Sequence, residues 1–121
     1  MMDTDQKTID RVRAMPFSTV YPLYVKKVER KGRLKADLDA VIRWLTGYSD
    51  SELASIVATD MSCGEFFDNA TINPNAQLIT GKICGVQVEL IADPFMKRVR
   101  QLDKIVDEIA NGRAMDKVLR A

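Results

Sequence analysis

Six cations crowd ten positions of this 121-residue chain: Lys26, Lys27, Arg30, Lys31, Arg33 and Lys35, with Glu29 the one acid among them. On a helix Lys26 lies one turn from Arg30, and Lys27 one turn from Lys31. Like charges at that spacing repel by about a few tenths of a kcal/mol per pair. A solvated face tolerates so small a cost, and an anionic partner turns it into attraction. The partner is then either a nucleic-acid backbone or the protein's own acidic middle. Charge is segregated along the sequence. Residues 1–43 hold ten basic and six acidic residues, 44–81 no basic and five acidic, and 82–121 eight and six. Segregation of this kind can steer self-association or recognition of a charged partner.

The other reactive residue types point to little chemistry. There is no histidine, which removes the usual general base near neutral pH, the commonest metal ligand and every Ser-His or Cys-His dyad. Cys63 and Cys84 are 21 positions apart without a Cys-x-x-Cys pairing, so free, packed thiols are expected. Each is still a candidate redox thiol. Cys63 follows the Ser62 cap, where the helix dipole favours a thiolate, whereas Cys84 would need Lys82 or a helix start to activate it. Thr80-Gly81-Lys82 has the look of a phosphate loop. Ala76 stands where the earlier glycine belongs, however, and Ile83 where a Ser or Thr would hold magnesium. Asp103, Asp107 and Glu108 would bind a hard cation only with further convergent carboxylates, and neighbouring Lys104 favours solvated pairs. Neither a cofactor nor a metal is expected, and the balance leans away from an enzyme.

A helix-turn-helix spanning Lys35–Thr46 and Asp50–Thr59 fails on charge. Its second helix carries Asp50 and Glu52 and no cation, and would repel DNA. Tyr21, Tyr24 and Tyr48 could offer stacking surfaces to a single strand, but Tyr24 falls on an apolar stripe and Tyr48 before a helix start. Packing is the expected role of both.

The elements that must position these residues follow from periodicity. Phe95, Val99, Leu102, Val106 and Ile109, with Ile105 beside them, mark the longest amphipathic stripe. Asp93 supplies its cap, Pro94 its first position and Asn111-Gly112 its left-handed stop, so a central helix is predicted over 93–111. Before it, a short helix is predicted from near Thr8 to Pro16, with residues 1–7 frayed. A second helix starts at Phe17 with Ser18 or Thr19 as cap, Pro22 being tolerable only in the first turn, and Gly32 closes it. A third carries Leu34, Leu38, Val41, Ile42 and Leu45 and ends at Gly47. Ser49-Asp50-Ser51-Glu52 and Ser62-Cys63-Gly64-Glu65 both read as capping boxes, stapled by Tyr48/Leu53 and Met61/Phe66.

Residues 71–77 form a loop in which Asn73-Pro74 can start a turn. Between 78 and 92, Ile79, Ile83, Val86 and Leu90 favour a helix, while the alternation from Val86 to Leu90 keeps open a minor hairpin within 78–90. Met115, Val118 and Leu119 predict a short docking helix within 114–120. The fold class is therefore all-α, a single domain over 1–121 built as an orthogonal bundle of about six or seven helices. Its 46% apolar and 29% charged residues suit a globular chain. No apolar run exceeds three residues, so neither a membrane span nor a signal-peptide core is read, and the cytoplasm is the expected location.

Five stretches carry a family resemblance: Met15–Arg33 (MPFSTVYPLYVKKVERKGR), Trp44–Ser49 (WLTGYS), Ile83–Glu89 (ICGVQVE), Asp93-Pro94 with Leu102-Asp103-Lys104, and Ala114–Arg120 (AMDKVLR). Together they resemble the bacterial domain-of-unknown-function family 2200. The resemblance implies a small, mainly helical protein and assigns no activity to any position. The expectation from residues and resemblance together is a small protein-interaction or regulatory module, possible homo-oligomerisation included. Electrostatic nucleic-acid binding through residues 26–35 is the alternative, and a histidine-free enzyme a third reading.

Overall fold

The computed structural model describes residues 5–120. In chain order it contains α1 (Gln6–Ala14), α2 (Phe17–Arg30), α3 (Lys35–Thr46), α4 (Asp50–Val57), α5 (Cys63–Asp68), β1 (Lys82–Ile83), β2 (Val86–Gln87), α6 (Pro94–Ala110) and α7 (Met115–Val118). Single 3-10 turns at Pro74–Leu78 and Val88–Leu90 flank the two strands. The class is all-α, with seven α-helices among the described residues. None of these helices is long and apolar enough to cross a membrane.

α6 is the element the others cover, and its ends are fixed by its own sequence. The Asp93 carboxylate accepts from the Met96 N–H at 2.9 Å, and Pro94 occupies the first position, where its missing N–H costs nothing. At the other end Gly112 takes φ +89°. The Arg113 N–H then reaches the Glu108 carbonyl and the Gly112 N–H the Ile109 carbonyl, a Schellman closure. The intervening stripe buries Phe95, Leu102, Ile105, Val106 and Ile109, while Val99 is half-exposed. It packs against α2, α3, α5, α7, β1 and the Val88–Leu90 turn. Each fully buried aliphatic side chain contributes roughly 1.5–3 kcal/mol relative to exposure.

The remaining helices pack by the same logic. Phe17 stacks on Phe66 at 3.9 Å between ring centres, Phe66 meets Phe67 edge-on at 4.9 Å, and Phe67 meets Phe95 at 5.9 Å. This aromatic chain joins α2, α5 and α6. The Ser49 capping box forms in full, with Ser49 Oγ taking the Glu52 N–H and the Glu52 carboxylate taking the Ser49 N–H. Of the second expected capping box only one half forms: Ser62 Oγ accepts from the Glu65 N–H at 3.1 Å, and the Glu65 carboxylate accepts from the Ser62 hydroxyl instead of from its N–H. The Tyr48 hydroxyl donates to the Phe66 carbonyl at 2.6 Å and so ties the α3–α4 corner to α5. Asn73 caps the Pro74–Leu78 turn, as its sequence suggests.

Five further details differ from the sequence-based expectations. Leu34, read as part of the α3 stripe, is the residue before α3 and is largely exposed. α1 begins at Gln6 because Asp5, earlier than Thr8, provides the cap, so Asp5 to Lys7 are part of the folded body. The rest of the expected frayed segment, residues 1–4, lies outside the described residues. α2 starts directly after Pro16, and Ser18 and Thr19 are helical residues, not caps. Pro22 sits at the sixth position of α2, beyond the first turn, and is exposed. Its one orphaned acceptor, the Ser18 carbonyl, lies on the half-exposed flank of the helix, which limits the penalty. Finally, 78–92 is not a helix. Cys84 (φ +52°) and Gly85 (φ +79°) are both left-handed, so they form a two-residue turn of the primed type that folds Lys82–Ile83 onto Val86–Gln87.

Candidate functional site

Burial of one face of α2 determines what the opposite face presents. Phe17, Tyr21 and Val28 point into the core, and the Tyr24 hydroxyl donates to Asp103 on α6. The positions left over, Leu23, Lys26 and Arg30, therefore face solvent along one stripe. Gly32 (φ +77°) then closes α2 with a second Schellman pair, Arg33 N–H to Val28 carbonyl and Gly32 N–H to Glu29 carbonyl. That turn sets Lys31, Arg33 and Leu34 at the head of α3.

The six cations separate into two groups. Lys27 pairs with Asp107 of α6 at 3.0 Å. Lys35 pairs with Asp39 at 3.2 Å and stands 5.5 Å from the centre of the Tyr21 ring. Its hydrogen bonds with Tyr21 and Asp39 raise its pKa and keep the ammonium charged. Arg33 lays its guanidinium against Gly112, so close that a Cβ at Gly112 would collide with it. Lys27 and Lys35 are thus tied to the fold by ion pairs, whereas Arg33 lies against Gly112 with no carboxylate partner among the described residues. Lys26, Arg30 and Lys31 are exposed and have no carboxylate partner among the described residues. Leu23 and Leu34, 60% and 65% exposed, bracket them with apolar surface.

The acidic middle of the chain does not neutralise this edge. Its in-chain partners are Arg13, which pairs with Asp68, and Arg43, whose Nε lies 2.9 Å from Asp50 without hydrogen-bond geometry. Arg13 also stacks over Phe95 at 4.6 Å. Glu52 and Glu65 serve helix starts, and Asp60 is exposed with no ion pair among the described residues. One molecule thus carries a basic edge and an acidic face that are separately organised.

The other sequence candidates are dispersed or occupied. Cys63 is 3% exposed, and burial, followed by the nearby Asp103 carboxylate, pushes its thiol up to about 11. That corrects the expectation of a dipole-favoured thiolate, because desolvation outweighs the dipole of a six-residue helix. Cys84, expected to be packed, is instead exposed, because the left-handed turn between the two strands carries it to the surface. Asp103 accepts from Tyr24 and Arg100, Asp107 pairs with Lys27, and Glu108 pairs with Arg113 and Arg120. No group of three or more potential metal ligands occurs among the described residues. The Gly81 N–H donates to the Glu89 carboxylate at 3.0 Å, so the Thr80-Gly81-Lys82 backbone spends that donor internally. Accepting from Gln87 and Gly81 lowers the Glu89 pKa.

Residues 11–120 match the family described as an uncharacterized protein conserved in bacteria, DUF2200. The chain belongs to this bacterial family. The crystal structure of uncharacterized protein SP1917 is similar over 91% of each chain, at 41% identity and a TM-score of 0.86. Among curated proteins none matches. Residue roles in this DUF2200 chain therefore rest on its own geometry.

Two features of the DUF2200 chain escape sequence reading. One is an open groove of about 380 Å³ between α4 and α5, lined by Tyr48, Glu52, Ser55, Ile56, Met61 and Asn69. The other is a nearly enclosed ion pair. Arg120 donates to both carboxylate oxygens of Glu108, at 3.0 and 2.8 Å, and clips the chain after α7 onto α6. Only the spacing of opposite charges hints at the clip. Chemically, these surfaces offer apolar contact and charge.

Proposed function

We propose that this protein is a small cytoplasmic interaction module that presents Lys26, Arg30 and Lys31 to an acidic partner surface. The observation that supports it most is the division of labour within the cluster. Lys27 and Lys35 are paired within the fold and Arg33 rests against Gly112, whereas Lys26, Arg30 and Lys31 stand exposed without a carboxylate partner among the described residues. Lys26 and Arg30, one turn apart, repel each other slightly, and an acidic partner surface would turn that repulsion into attraction. Flanking Leu23 and Leu34 add apolar contact of the kind found at protein interfaces.

The same cations suit a phosphate backbone, which makes nucleic acid the competing partner. Against it stand the tyrosines. The Tyr21 hydroxyl donates to Asp39 and that of Tyr24 to Asp103, so both rings are fixed in packing and neither offers a free stacking platform for bases. Titration with polyglutamate and with single- and double-stranded nucleic acid, each at low and high salt, separates the two. The expected result is salt-sensitive binding of polyglutamate in preference to either nucleic acid. Preferential binding of nucleic acid with a steep salt slope would overturn the reading.

A further inference from the structure

The interaction reading leaves the partner open, and the molecule itself carries a surface complementary to the basic edge. The α4–α5 groove has an apolar floor of Tyr48, Ile56 and Met61 and a polar rim of Glu52, Ser55 and Asn69. Asp60, adjacent to Met61, is exposed and unpaired among the described residues. Residues 44–81 contribute no lysine or arginine, and the cations that pair with this segment, Arg13 and Arg43, meet Asp68 and Asp50, leaving Glu52 and Asp60 without an ion pair among the described residues. On α2, the exposed ridge pairs one apolar knob, Leu23, with Lys26 and Arg30 three and seven residues further on. That spacing keeps all three on one face over about 10 Å of helix.

The geometry points to a second copy of this chain as the occupant of the groove, with Leu23 entering between Ile56 and Met61 and Lys26 and Arg30 meeting Glu52 and Asp60. This inference rests on the interaction reading and names its partner. Three features argue for self-recognition over an unrelated acidic protein. Knob and apolar floor, and cations and carboxylates, match in both chemistry and order of size. Both halves occur on one chain. They do not satisfy each other inside it, since Lys26 and Arg30 have no carboxylate partner among the described residues while the acidic segment pairs with Arg13 and Arg43. A contact between unlike patches closes either as a two-fold pair that uses both patches twice or as a ring.

Charge-swap complementation tests this on the whole protein. The variants are K26E/R30E on the ridge and S55K/D60K on the groove, all at exposed positions outside the helix caps. Circular dichroism verifies that each is folded. Light scattering at low salt should give wild type a mass above the 13.6 kDa of one chain, falling towards it at high salt. Each variant alone should run as a single chain, and their equimolar mixture should recover the wild-type mass. A wild type that stays at 13.6 kDa in low salt, or a mixture of folded variants that does not associate, overturns the inference. Polyglutamate binding by the same wild-type sample tells the two readings apart. Retained binding by a monomer rejects the second copy alone, whereas loss of both rejects the basic edge as an interaction surface. If only the ridge variant dissociates, the groove is rejected as the acceptor.

Discussion

Glu108 and Arg120 form a bidentate ion pair in which both side chains are nearly enclosed, 7% and 12% exposed, and Arg113 supports the same carboxylate at 3.0 Å. Arg120 Nε also donates to the Leu78 carbonyl at 3.1 Å, so one guanidinium joins α6, the Pro74–Leu78 turn and the C-terminal segment. Removing Arg120 leaves the Glu108 carboxylate with the half-exposed Arg113 as its remaining ion-pair partner. Arg120→Ala should cost about 2–3 kcal/mol, below the roughly 3–5 kcal/mol of a fully stranded buried charge, whereas replacing the pair with apolar residues, Glu108→Leu with Arg120→Met, should cost less. Urea melts of the two variants check this, and equal losses would mean that the pair acts through packing alone.

Leu102 is fully buried in the stripe of α6 that the other helices cover. Leu102→Ala should cost about 2–5 kcal/mol, the lost transfer energy plus a cavity that neighbours on several elements cannot fill. Chemical denaturation reads this directly. A loss below about half a kcal/mol would contradict the central place of α6, given a typical reserve of about 5–15 kcal/mol.

Cys84 holds a left-handed conformation, at φ +52°, that asparagine and glycine adopt more easily. Cys84→Asn should therefore stabilise the protein by about 0.5–1 kcal/mol, part of the 1–2 kcal/mol that a left-handed residue costs, and Cys84→Val should destabilise it. The denaturation midpoint is the measure. A stabilising valine would reject the assigned turn.

Burial separates the two thiols. In the folded protein a thiol reagent near neutral pH should label Cys84 and spare Cys63, and both should react in urea. The same burial sets a pH dependence. Cys63 is raised from an ordinary 9.0 to about 11, and Tyr24 is raised by burial and then by Asp103. Between those pH values the unfolded thiol releases its proton while the folded one retains it. Stability is then full below pH 9.0 and falls as pH rises towards 11. Melting temperatures over that range show the decline, which Cys63→Ala should lessen.

How much the sequence revealed depended on whether the cause of a feature is local. α6, the Ser49 and Ser62 helix starts and the Gly32, Gly47 and Gly112 stops were legible because cap, staple and left-handed glycine lie within a few residues of what they fix. The hairpin was obscured because Ile79, Ile83, Val86 and Leu90 fit a helical period while Val86, Val88 and Leu90 alternate as in a strand. Its turn uses Cys84-Gly85 where Asn-Gly would have announced it. Pro16 outcompeted Ser18 and Thr19 through a tertiary bond, the Phe17 N–H to the Met61 carbonyl at 2.8 Å. The basic cluster was visible in the sequence as six charges. Which of them the fold pairs depends on Asp107 and Asp39, indistinguishable in the sequence from other surface carboxylates. The groove beside Tyr48 and the Glu108–Arg120 clip arise only when separate elements meet.

The most direct measurement is a paired one on the variant K26A/R30A/K31A, giving its unfolding free energy and its affinity for polyglutamate at low salt. Three cations that serve a partner and not the fold should leave stability within about half a kcal/mol of wild type, or slightly raised by relief of repulsion, while affinity collapses. Unchanged affinity, or a stability loss above about 2 kcal/mol, would contradict the account.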